Sequence, residues 1–426
     1  VIDLRLLRQD PEGSRAALLR RGDSALGGAL DGILDLDRRW RALVAEGERL
    51  KAERNAQSEE VARRKRNKVA ADDLLAALKT SGEQVKSLDV ETRSSEEALS
   101  QALLRIPNFP HPDSPEGPAT ANRVVRSWGD KPGLGFPAKP HWEIGEALGL
   151  FDLPRGAKIS GAGFPVFTGA GARLVRALAS LMLDVHTREH GYREIGPPYL
   201  VTRSTMTGTG QLPKFEEDLY ATSGDDLFLI PTAEVPLTNL HRDEILDGSV
   251  LPIALVGFTP CFRREAGSAG KDTRGLLRIH QFDKVELVRL VRPETSDAEH
   301  ETLTGQVETI FRRLELPYRV IDLATGDLGF SASRTYDLEA WAPGVEAWLE
   351  CSSSSTFTDF QARRASIRFR PAVGEKPEFV HTLNASGVAF PRTIAALLEN
   401  HQQSDGSVRL PQALVPYMGT DRLTRS

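Results

Sequence analysis

From Leu30 the chain places apolar residues at intervals of three and four: Ile33, Leu36, Trp40, Leu43, Leu50 and Val61, interrupted at Gly47, Arg54 and Gln57. That spacing is one stripe of an α-helix. After a basic cluster, ARRKRNK (62–68), the stripe resumes at Leu74 or Leu75. It continues through Leu78, Ser81, Val85, Leu88, Thr92, Ser95, Leu99, Ala102 and Ile106. Two such helices joined by a turn near 67–73 predict an antiparallel coiled-coil hairpin. Arms of about 30 to 35 residues would reach roughly 45 to 50 Å at the α-helical rise. Ahead of them, residues 4–21 predict a short helix broken at Gly22 and a looser segment through Gly28. Pro107 ends the second long helix, and the following NFPHPDSPEGPATAN has the composition of a boundary. The chain therefore divides into an arm, 1–107, with its tip near 62–73, and a larger domain, 108–426.

In the larger domain the period changes. Residues 114–170, rich in Gly and Pro, read as strands and turns that cover a sheet and carry no chemistry of their own. FPVFTGAGARL lacks both a Walker lysine and GxGxxG spacing, so it caps the apolar helix expected over Ala172–His190. The β-branched runs IALVGF and VELVRL flank the stretch from Thr259 to Lys284 and predict an antiparallel pair joined by a long loop, with small residues from Ala266 to Gly270. The fold class is α+β.

Composition narrows the partners. The chain has 426 residues, 27% charged and 40% apolar, with a net charge of −5, so a polyanion must be met by a local patch. Arg63, Arg64, Lys65, Arg66 and Lys68 form such a patch at the tip of the arm. A rod with a cationic end suits RNA, whose helices are read by backbone and shape; a dimerisation or spacer arm with solvated charges is the plainer alternative. Neither the two cysteines nor the histidines give a zinc signature, and no zinc is expected. No apolar run reaches the roughly 18 residues of a membrane span, and the N-terminus lacks a signal-peptide h-region. The expected location is cytoplasmic, with no membrane partner.

Four segments carry candidate chemistry. Arg263, on a strand beside a glycine-bearing loop, offers phosphate a planar fork. Glu265 adds an acceptor and Phe282 a flat face for a base; surface ion pairing is the alternative. In LFLIPTAEVPLTNL, Thr232 and Glu234 could hold an ammonium group or simply start a helix at Pro236. In WLECSSSSTFTDFQARR, a serine run follows an apolar stretch, so its hydroxyls need partners, and Glu350 and Ser353 are hard oxygen donors of the kind Mg²⁺ prefers. In HTLNASGVAFPRTIAALLENHQ, Arg392 enters a buried helix whose N-terminus favours anions.

Taken together, these segments resemble a known family. Thr259–Val288 resembles the second signature motif of class II aminoacyl-tRNA synthetases in its seryl-tRNA synthetase form. GYREIGPPYLV after its helix resembles the first motif, and the Arg392 segment the third. The tail LPQALVPYMG and the arm complete a resemblance to bacterial-type seryl-tRNA synthetases along the whole chain. It implies a homodimer with a mainly antiparallel sheet flanked by helices, preceded by the coiled-coil hairpin. It implies a ligase that activates L-serine with ATP and Mg²⁺ to seryl-adenylate and transfers the seryl group to the 3′ end of tRNA(Ser), which the arm contacts. ATP would meet Arg263, Arg264, Glu265, Phe282, Glu350, Cys351, Ser352, Ser353 and Arg392, with Arg263 at the α-phosphate and Arg392 at the γ-phosphate. Mg²⁺ would sit on Glu350 and Ser353. Serine would meet Thr232, Ala233, Glu234, Arg263, Glu286, Asn384 and Ser386. Arg264, Thr356 and Ala385 depart from the residues frequent in the family. The rivals are a serine-activating paralogue that loads a carrier, an antibiotic-resistant duplicate synthetase, and a non-catalytic RNA-binding relative.

Overall fold

The structure is a computed structural model that describes residues 1–266 and 274–425. Most of the expected small-residue loop, Ala266–Gly270, therefore lies outside the described residues. The chain separates into two compact units. One comprises Ile2–Leu19 and Asp23–Ile106; the other comprises Val1, Arg20–Gly22 and the chain from Pro107 onward.

The first unit is built on two long helices, Ala25–Arg66 and Asp72–Arg105. Their seam buries Leu30, Ile33, Val61, Val85 and Leu99. The first helix begins at Ala25, five residues before the periodic pattern, so Gly27 and Gly28 lie inside it. Packing overrides their poor propensity: the Gly27 carbonyl accepts from Arg15 Nη1 at 3.2 Å, and a Cβ at Gly27 would sit 3.1 Å from that guanidinium. At 42 residues this helix is longer than expected, about 63 Å at the α-helical rise. The expected helix over 4–21 is two helices, Leu4–Gln9 and Pro11–Leu19. Asp10 separates them, and its carboxylate accepts from Gly13 N at 2.9 Å. Asp37, on the first long helix, is buried beneath the short helix Leu4–Gln9, which supplies Arg8. Burial opposes its ionisation, but Arg8 and Arg41, each with Nε 2.9 Å from its Oδ2, hold the carboxyl below its ordinary range.

The second unit is organised by an eight-stranded sheet. Its order is Arg123–Trp128, Tyr318–Asp322, Arg334–Ala342, Ala347–Thr356, His381–Ala389, Gln281–Val291, Ile253–Phe262 and Arg193–Glu194. Every pairing is antiparallel except the last. Alternation gives the sheet two characters. Val285, Leu287, Leu383, Ala385 and Leu349 pack into one core with the helices Gly169–Arg188, Ser296–Arg313 and Phe390–His401. Positions 282, 284 and 286 are polar or aromatic and face the other way.

Residues 114–170 differ from expectation. They contain two helices, His141–Leu148 and Leu153–Ser160, the second capped by Asp152, which accepts from Arg155 N at 2.7 Å. The glycines of FPVFTGAGARL belong to the entry of the next helix, Gly169–Arg188. Gly171 is needed there because a Cβ would lie 1.9 Å from the Leu150 carbonyl oxygen.

Arg21 is a structural anchor within this unit. Its guanidinium donates to the carbonyls of Asn108 (2.7 Å), Leu328 (3.1 Å), Gly329 (3.2 Å) and Ala332 (2.6 Å). Arg21→Met should leave those half-buried carbonyls unpaired and lower stability by about 2–4 kcal/mol, read as a fall of several degrees in the thermal midpoint.

Candidate active site

The polar face of the sheet floors an open cavity of about 620 Å³. Arg263 stands just past the end of the strand Ile253–Phe262, its guanidinium carbon 5.2 Å from the centroid of Phe282. Arg263 Nε donates to the Pro231 carbonyl at 3.2 Å, which aims the remaining fork into the cavity. Glu265, with a positive φ of 52°, pairs with Arg278 at 2.5 Å. Across the floor, Arg392 lies in the first turn of the helix Phe390–His401. It donates to the carbonyls of Leu277 (3.2 Å) and Glu350 (2.9 Å), and the Glu350 carboxylate lies 3.4 Å away.

The serine run is a strand, Ala347–Thr356. Its hydroxyls are divided between the two faces. Ser354 hydrogen-bonds Thr304 on the helical side at 2.9 Å, while Ser355 meets Thr335 at 2.9 Å and Ser352 donates to the Ser386 carbonyl at 2.5 Å. Ser353 stands opposite Asp337 on the neighbouring strand, and both line the cavity.

At the other end lies a buried polar cluster. Lys284 Nζ donates to Thr232 Oγ1 at 2.9 Å and forms an ion pair with Glu286. Asn384 Nδ2 donates to Glu286 Oε1 at 3.0 Å. Glu234 opens the short helix Glu234–Thr238, and Gln361 donates to its Oε1 at 2.6 Å.

A family model for the seryl-tRNA synthetase N-terminal domain matches residues 1–110, and one for the tRNA synthetase class II core domain (G, H, P, S and T) matches residues 214–401. Over its length the chain is 57% identical to the serine–tRNA ligase of Gemmatimonas aurantiaca, with 98% of each chain covered. The chain belongs to the seryl-tRNA synthetases. It is also 54% identical to the serine–tRNA ligase of Geobacter sulfurreducens, covering 98% of this chain and 99% of that one. A crystal structure of seryl-tRNA synthetase from Pyrococcus horikoshii, complexed with ATP, superposes with a TM-score of 0.94 at 39% identity over 100% of both chains. The expected fold, an arm of paired helices before a mainly antiparallel sheet flanked by helices, is the one observed.

Most of the expected site residues of this synthetase-family chain meet in the one cavity. Arg263, Glu265, Phe282, Glu350, Cys351, Ser352, Ser353 and Arg392 line it, as do Thr232, Glu234, Asn384 and Ser386. Three others do not. Arg264 gives its backbone N–H to the Asp218 carbonyl at 3.0 Å and lies to the side. Ala233 is fully buried against Leu237 and Val288. Glu286 sits behind Lys284 and Asn384. The tip cations belong to the other unit, and two are engaged there: Arg63 and Arg64 both pair with Glu60, and Arg64 also with Asp73. The histidine expectation overlooked His186 and His190, four residues apart in HTREH; their Nδ1 atoms share a hydrogen bond of 3.0 Å.

Lys284, Asp337 and Gln361 were not anticipated. Period-2 alternation places Lys284 between Phe282 and Glu286 on the cavity face, a signal present in FDKVE. The other two give no local signal. Asp337 Oδ1 is buried with no hydrogen-bond partner. Burial, then the Glu350 charge, raises its carboxyl well above the ordinary range, against the pull of the Ser353 hydroxyl. Burial, then the Glu286 charge, pushes Glu234 up to about 7, with Gln361, Lys284 and Arg263 opposing. Cys351, pushed up to about 12 mainly by burial, remains a thiol and lines the wall without acting as a nucleophile.

Lys284 is the buried cation in contact with Glu286. Lys284→Met should destabilise the protein by about 3–5 kcal/mol by leaving that carboxylate unpaired, measurable as a lowered thermal midpoint.

Proposed function

We propose that this chain activates L-serine with ATP to seryl-adenylate and transfers the seryl group to the 3′ end of tRNA(Ser). The observation that carries this reading is the arrangement in one cavity: Arg263, Arg392 and the hard-oxygen groups Glu350 and Ser353 line it together with the buried carboxylate of Glu234. Arg263 meets the α-phosphate, where the serine carboxylate attacks in line and pyrophosphate leaves. Arg392, held on two carbonyls, meets the γ-phosphate. The terminal ribose hydroxyl of the tRNA then attacks the seryl carbonyl, releasing AMP. Such chemistry relies on positioning and charge stabilisation, without a covalent side chain. Glu265 accepts from the adenine that Phe282 stacks upon.

Glu350 and Ser353 would hold Mg²⁺, and the unpartnered Asp337 Oδ1 beside Ser353 fits the same hard-oxygen set. When bound, the ion neutralises phosphate charge. The serine ammonium goes to Glu234 and Thr232. Its hydroxyl goes to Ser386 and to the Glu286–Asn384 pair, of which Asn384 lines the cavity, so that alanine would leave buried polar groups unpaired. The basic tip of the arm, residues 1–107, meets tRNA backbone, and residues 108–426 carry the chemistry. The working form is a cytoplasmic homodimer.

Charging of bulk tRNA with labelled serine, ATP and Mg²⁺ tests the whole reading. Label confined to serine-accepting tRNA is expected; serine-dependent pyrophosphate exchange without charging would instead indicate a carrier-loading paralogue. Replacing Arg63–Arg66 with glutamine should raise the tRNA KM about tenfold or more and leave pyrophosphate exchange unchanged. Serine binding also carries a pH signature. The ammonium prefers ionised Glu234, which is lost as pH falls through about 7. The serine KM should therefore rise below that pH, approaching about tenfold per unit, while the ATP KM stays level.

A further inference from the structure

Gln361 lies on the helix Phe360–Ala365 and is fully buried. It does not line the cavity, yet it touches the carboxylate that does. Its Nε2 donates to Glu234 Oε1 at 2.6 Å and to the Thr209 carbonyl at 3.2 Å. Its Oε1 accepts from Thr382 Oγ1 at 2.7 Å, and Thr382 is also fully buried, on the strand His381–Ala389. These bonds leave one orientation for the amide. Flipped, its oxygen would face the Thr209 carbonyl oxygen and, with Glu234 ionised, a carboxylate oxygen, three acceptors with no proton among them.

We infer that Gln361 is a positioning residue for amino-acid recognition: held by Thr382, it fixes the Glu234 carboxylate in the rotamer and charge state that receive the substrate ammonium. The inference rests on the reading that Glu234 receives that ammonium. The charged groups facing Glu234 are Glu286 and Lys284 on the strand Gln281–Val291, and Arg263 beyond the strand Ile253–Phe262. Glu286 disfavours the ionised form, and Lys284 and Arg263 favour it. Gln361 is the neutral donor bonded directly to the carboxylate, and a hydrogen bond to a charged group is stronger than one between neutral groups. Removing it takes away an interaction that favours the ionised form, so the group holds its proton to higher pH. The substrate must then ionise the carboxylate at its own expense in affinity.

The test uses the full-length protein and serine-dependent pyrophosphate exchange from pH 6 to 9, with Gln361→Met, Thr382→Val and Glu234→Gln. Gln361→Met should raise the serine KM about tenfold or more, leave kcat and the ATP KM within about twofold, and move the KM-against-pH midpoint to higher pH. Thr382→Val removes only the hydroxyl that orients the amide and should shift the same two readouts in the same direction by a smaller factor. It also supplies the answer if the methionine variant fails to fold. A Glu234→Gln variant with unchanged serine KM would sink the ammonium reading and this inference with it. An impaired Glu234→Gln beside wild-type KM and pH profile in both other variants would overturn the inference alone. A general packing defect would alter the ATP KM or kcat without moving the pH midpoint, and that outcome too would overturn it.

Discussion

Lys284 stands almost without exposure between Thr232 and Glu286, and the shape of the cavity depends on that cation. A carboxylate as deep as Glu286 is sustained by a charge partner and hydrogen bonds. Lys284 holds one oxygen and Asn384 the other. The Glu286 charge adds to the effect of burial, the larger cause, in raising the proton affinity of Glu234. The sheet makes this possible by assigning alternate residues of one strand to opposite tasks: Val285 and Leu287 join the apolar core while Lys284 and Glu286 face the polar side.

Residues that do not line the cavity hold its walls in place. His141 illustrates the principle. Its Nδ1 lies 2.8 Å from Glu399 Oε1, and its Nε2 accepts from Leu276 N at 3.1 Å, so a helix outside the sheet fixes the loop that brings Leu276 and Leu277 to the cavity. Glu399 is itself tied to Gly344 N and Val345 N, at 2.7 and 3.1 Å. On the opposite wall, Arg21 and Asn108 grip the chain near 328–332; Asn108 Nδ2 donates to the Ser331 carbonyl at 3.1 Å and the Phe357 carbonyl at 2.8 Å. A reacting centre placed to within a fraction of an ångström needs such support.

These facts explain what could be read in advance. The arm was legible because its helices repeat one local period, and only its first turns, around Gly27, depended on a distant arginine. The residues of the motif segments were legible through their chemistry and family resemblance, and the burial of the serine run followed from its apolar flank. The helices His141–Leu148 and Leu153–Ser160 were missed because glycine and proline dominate that stretch, while packing and a side-chain cap decide its conformation. Asp337 and Gln361 were missed for a stricter reason. Each acquires its meaning from residues elsewhere in the chain: Ser353 across a strand pair for one, Thr382 and Glu234 for the other. The hydrophobic period records which way a side chain points; it does not record which hydrogen-bond partner it will find there.

The cavity also has an electrical direction that bears on the proposed chemistry. Glu234 lines it with Lys284, Arg263 and Arg392, while Glu286 stands behind Lys284 and Asn384. A free amino acid is a zwitterion, and in a site of low dielectric each of its charges seeks its opposite. With the ammonium on Glu234, the carboxylate is directed toward Arg263, the group assigned to the α-phosphate. The reversed pose would place the carboxylate against the Glu234 carboxylate, where repulsion and lost hydration both oppose it. Nucleophile and electrophile are thus brought to the same cation by the gradient itself. On the proposed reading, the buried cluster around Lys284 would serve the phosphoryl step as well as the choice of side chain, because it would determine which end of the substrate meets Arg263.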